Sequence, residues 1–186
     1  MFGGLIVVFV VSVLAIAALG TSRPVATPTP GSTDPGVGDT ASGGQGQTVD
    51  GINCDAGEQL AYHVHAHLYI LVDGKPQKVS EQIGIPAKFP PCIYWLHTHN
   101  TSGIIHIESP TQRTYTLGQF FDIWGMPLNR TDVAVYPVPS DGLTVFVDGQ
   151  QFTDDPRNIE LKPHTQVVVE LGQVIPPPPF EFPAGL

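Results

Sequence analysis

Between Tyr62 and Val72 the chain reads Tyr-His-Val-His-Ala-His-Leu-Tyr-Ile-Leu-Val, and Val64, Ala66, Leu68, Ile70 and Val72 form one unbroken apolar series. A period of two over that length fits an extended strand and no helix, because successive side chains on a strand point to opposite faces. The apolar series is the core face. His63, His65 and His67 share the other face, which continues through Tyr69 and Leu71 and is mixed in character, as suits a cleft wall.

A second cluster follows in Trp95-Leu-His-Thr-His-Asn-Thr-Ser-Gly-Ile-Ile-His-Ile-Glu108. Residues 100–103 are turn formers, with Gly at the loop's end to supply a positive φ, so the segment predicts a hairpin. With those four residues as the loop, His97 faces His106, His99 faces Ile104 and Trp95 faces Glu108. Facing residues have Cβ atoms about 4.5–5.5 Å apart, so His97, His99 and His106 converge within reach of one metal ion, with Glu108 beside them as base or supporting group. A slip of one residue would send His106 to the opposite face. Imidazole is the commonest protein metal ligand and suits zinc, copper, iron and nickel. Two clusters on strand faces therefore predict a metal site built from His63, His65, His67, His97, His99 and His106, whereas His164 reads as a turn residue. Only Met1 and Met126 are methionines, which disfavours Cu(I) and leaves Cu(II) or Zn(II) as the expected cofactor.

Residues 2–20 are uncharged and apolar, close to the roughly 20 residues that span a bilayer. They predict a transmembrane anchor, or a cleavable signal for which Ala15-Ile-Ala17 is a cleavage-like site but no basic leader is present. Residues 21–50, rich in Thr, Pro, Gly and Ser, predict a disordered linker. Residues 51–186 then form one extracytoplasmic β-rich domain. Net charge is −9 without a basic cluster, which argues against nucleic acid and against docking on anionic lipid. Cys54 and Cys92, the only cysteines, lack the close spacing of a thiolate site and predict a disulfide in an oxidising compartment.

The expected fold is α+β, mainly antiparallel sheet arranged as a sandwich or barrel, with one short helix at about 116–125. Thr116 and Gln119 make a capping box, Leu117, Phe120, Phe121 and Trp124 form an apolar stripe, and Gly125 ends the helix. Asp73-Gly74 predicts a turn into a return strand at Lys78-Val79. Further strands are expected from Val133 to Tyr136, Leu143 to Val147 and Gln166 to Leu171, with a hairpin turn at Asp148-Gly149. Phe180 and Phe182 are expected to hold the proline-rich tail across the domain.

The motifs His-Val-His-Ala-His-Leu, Leu-His-Thr-His, Gly-Ile-Ile-His-Ile-Glu-Ser and Leu-Gly-Gln-Phe-Phe-Asp-Ile-Trp-Gly, between Tyr62 and Leu128, resemble those of an uncharacterised group of bacterial membrane-anchored, extracytoplasmic proteins. That resemblance implies location and carries no activity. His-x-His on one strand with a third His on a neighbour also looks like the zinc site of α-type carbonic anhydrases, which implies that such a site can be catalytic. Cupins share His-x-His, but their carboxylate follows within three or four residues, and none follows His99 at that interval. Three functions are therefore carried: a tethered binding protein for Cu(II) or Zn(II), a zinc enzyme with Glu108 as base, and an adhesion or scaffold module with decorative histidines.

Overall fold

The computed structural model describes residues 43–186, together with Met1 and Gly3. The strands are β1 (Cys54–Asp55), β2 (Tyr62–Val72), β3 (Lys75–Gln77), β4 (Ile93–Tyr94), β5 (Leu96–His97), β6 (Ile104–Ser109), β7 (Asp132–Val133), β8 (Tyr136–Pro137), β9 (Leu143–Val147), β10 (Gln150–Phe152) and β11 (Gln166–Leu171). Among the described residues the one α-helix, α1 (Leu117–Trp124), lies between β6 and β7. The main sheet runs β10-β9-β11-β2-β6-β5, with β3 also paired to β2. Its pairs are antiparallel except β11 with β2, which is parallel. The fold is thus the expected α+β, mainly antiparallel arrangement, sandwich-like and mixed at one pair.

The apolar face of β2 supplies the core as its pattern requires: Ala66 and Leu68 are fully buried and Ile70 nearly so. They join Ile105 and Ile107 of β6, Val167 and Val169 of β11, and the aromatic stripe of α1. The capping box forms in both directions, and Gly125 closes the helix in the left-handed region at φ 73°. Cys54 and Cys92 are disulfide-bonded with Cα atoms 5.3 Å apart. The bond fastens β1 to the segment entering β4, within a pair whose register sets Cys54 against Tyr94.

Two strand expectations are corrected. The return strand is Lys75–Gln77 rather than Lys78-Val79, because the two-residue turn brings Lys75 directly opposite Val72, and Val79 turns into the core instead. No continuous strand spans residues 133–136, since Ala134 adopts φ 51° and turns β7 back into β8. The linker composition also gives way to order before residue 51. Gly44 N–H donates to Ile123 O at 2.8 Å and Gly46 N–H to the Tyr94 hydroxyl at 2.9 Å. Glycine, one of the residues that suggested a linker, is what lets this backbone lie so close: a Cβ on Gly44 would fall 2.5 Å from the Tyr94 ring. The anchor or signal expected at residues 2–20, and the linker before residue 43, lie outside the described residues. Among the described residues no helix is long and apolar enough to cross a membrane.

Gly103 is the residue on which the histidine hairpin turns. It sits at φ 86°, and a Cβ there would stand 2.2 Å from Leu68 O. Leu68 N–H donates to Gly103 O at 2.9 Å, stitching the loop to β2. Gly103→Ala is therefore expected to lower unfolding stability by about 2 kcal/mol or more, combining the left-handed backbone penalty with displacement of β2. Urea melts of the two proteins read this directly, and an unchanged midpoint would refute the packing described.

Candidate metal centre

Register assembles the site. His97 pairs with His106 across β5 and β6, as the four-residue loop requires. On the other side of β6, His65 pairs with His106 and His63 with Glu108. One row of the sheet therefore reads His65, His106, His97, and the next reads His63, Glu108 and then Trp95, whose carbonyl accepts from Glu108 N–H at 2.8 Å. Strands β2 and β5 flank β6 and run parallel to each other, so both histidine clusters share one face of one sheet.

Side-chain contacts close a ring. His63 Nε2 lies 3.1 Å from His65 Nε2, and His65 Nε2 lies 3.2 Å from His106 Nδ1. His106 Nδ1 is 3.3 Å from Glu108 Oε1, which is 3.3 Å from His63 Nε2. With Glu108 ionised, three ring nitrogens have at most three protons to share among four contacts. A point equidistant from four atoms at such spacings is about 2.0–2.3 Å from each, close to the zinc–imidazole and zinc–carboxylate range. One cation at that point would satisfy all four contacts at once.

A second set of potential ligands comprises His97, His99, His106 and Glu108, and in each set the ligand atoms lie within 4.8 Å of one another. His97 Nε2 is 3.2 Å from His99 Nε2. His97 Nδ1 is 2.9 Å from Tyr94 O, a contact that requires the proton on Nδ1 and leaves the Nε2 lone pair facing the cleft. This is the usual way a backbone carbonyl orients a ligating imidazole. At the rim, His99 Nε2 lies 3.6 Å from Glu58 Oε1.

Burial sets the protonation. Desolvation, reinforced by neighbouring imidazoles, lowers His65 and His97 to about 4 and His106 to about 3. These rings are neutral at neutral pH, the form that binds metal. Desolvation first, and then the charge of Glu58, pushes Glu108 up to about 7. A bound cation would reverse that shift. The cleft is open at both sides, where the His63 and His99 side chains are 40% and 39% exposed.

His67 is not brought into either set. Its ring stacks under Phe180 at a centroid distance of 3.5 Å, and its Nε2 is 3.0 Å from Ser102 O. Phe182 stacks on His164 at 4.5 Å, and His164 Nε2 lies 2.9 Å from Leu186 O, so His164 also stands apart from the ligand sets. The tail thus lies where Phe180 and Phe182 were expected to hold it, over histidines. Glu108 as a direct member of both sets goes beyond the sequence expectation, although its two-residue step from His106 on a strand was a visible signal. Glu58, in a loop, gave none. No protein-family model matches the chain, and no curated protein or solved structure does.

Proposed function

We propose that this protein is a binding protein for a divalent transition metal, Cu(II) or Zn(II), held outside the cytoplasm by an N-terminal membrane tether. The observation that carries the reading is the closed ring of His63, His65, His106 and Glu108, whose edges of 3.1–3.3 Å suit four ligands around one ion better than four hydrogen bonds. The imidazole-rich donor set and the scarcity of sulfur donors favour a borderline divalent cation over Cu(I). The disulfide favours an oxidising compartment.

The test is a titration of the untagged, metal-stripped full chain with Cu(II) or Zn(II) against a competing chelator. Saturable binding with a Kd below about 1 μM, some 8 kcal/mol, is expected for an ordered multi-imidazole site. Affinity no tighter than millimolar would overturn the reading. The openness at His63 and His99 favours one further reading, an enzyme with water on the metal. X-ray absorption separates the two: four protein donors support capture or delivery, and three with a water support catalysis.

A further inference from the structure

We propose that the histidine face binds two divalent metal ions, bridged by the Glu108 carboxylate. The inference rests on the metal-binding reading above and adds its stoichiometry and its bridge.

The donors outnumber the positions on one ion. Five imidazoles and one carboxylate make up the two ligand sets, whereas a zinc site takes about four ligands. The donors are also divided in space. His63 and His65 belong to β2 and His97 belongs to β5, with His99 just beyond it, and β6 runs between. Backbones two strands apart are separated by about 9–10 Å. Within each cluster the paired Nε2 atoms lie only 3.1 and 3.2 Å apart, a spacing that lets each His-x-His pair chelate its own ion.

Glu108 stands between the two pairs and presents one oxygen to each. Its Oε1 is 3.3 Å from His63 Nε2 and from His106 Nδ1. Its Oε2 is 3.9 Å from His97 Nε2, is buried, and has no hydrogen-bond partner. A buried carboxylate oxygen facing a histidine pair without a donor of its own is otherwise an unfavourable arrangement. An ion held by His97, His99 and Oε2 supplies the missing partner. A carboxylate with one oxygen on each ion suits metals about 3.5–4 Å apart, and its negative charge offsets their mutual repulsion.

The experiment titrates the metal-stripped full chain with Cu(II), following bound copper by mass spectrometric metal analysis and spin coupling by electron paramagnetic resonance. The expected plateau is two copper ions per chain with the half-field transition of a coupled pair. His97→Ala combined with His99→Ala should reduce the plateau to one and abolish that transition. Glu108→Gln should abolish the transition whatever plateau it reaches. A wild-type plateau of one ion overturns the two-ion site while leaving metal binding intact. Two ions with only isolated Cu(II) signals overturn the bridge. No saturable binding removes the underlying reading as well. The wild-type plateau and spectrum decide the matter even where a variant fails to fold.

Discussion

Replacing His106 with alanine is expected to weaken Cu(II) or Zn(II) binding by more than about 100-fold, beyond the 10- to 100-fold loss typical of supporting groups around a metal. His106 is the imidazole common to both ligand sets, and its register opposite both His65 and His97 makes it the centre of the row. Removing its ring takes a donor from each set and leaves Glu108 without its nearest neighbour on β6. His164→Ala, made alongside, should leave affinity unchanged, because that ring is engaged with Leu186 and Phe182. His67→Ala should likewise spare the metal. Chelator competition measures all three, and equal losses in the three variants would refute the assignment of ligands.

Replacing Cys54 and Cys92 together with serine should lower unfolding stability by about 4 kcal/mol. The bond spans 38 residues, and the chain-entropy model assigns about that much to opening a loop of such length. The loop contains the whole of β2, so its closure confines the first histidine segment in the unfolded chain. Chemical denaturation of the double variant against wild type gives the value, and a loss under about 1 kcal/mol would show that the bond does not constrain the unfolded ensemble as argued.

Strand periodicity made most of this molecule legible. The alternation in β2 places Ala66, Leu68 and Ile70 in the core and the histidines opposite. The Asn100 to Gly103 loop fixes His97 against His106, and Thr116 with Gln119 marks the start of α1. The two cysteines permitted only one internal bond. What stayed hidden was decided by contacts distant in sequence. His67 belongs to the same face as His63 and His65, yet Phe180 covers it, and nothing within β2 distinguishes it from its neighbours. Glu108 reads as a supporting group until β2 is paired with β6, when it falls opposite His63. Ala134 shows how one left-handed residue divides a run of strand formers. Gly44 shows small residues serving close packing where composition suggests a tether.

The parallel pairing of β11 with β2, which sets Gln166 beside His67, has a consequence for how the chain is made. β2 is among the earliest segments of the described domain to emerge during synthesis, and β11 is its last strand. The central strand of the sheet therefore lacks one of its two long neighbours until β11, far along the chain, has been made. Such non-local pairing closes slowly and leaves an unpaired edge exposed in the interim. The central sheet cannot be completed until β11 has been made.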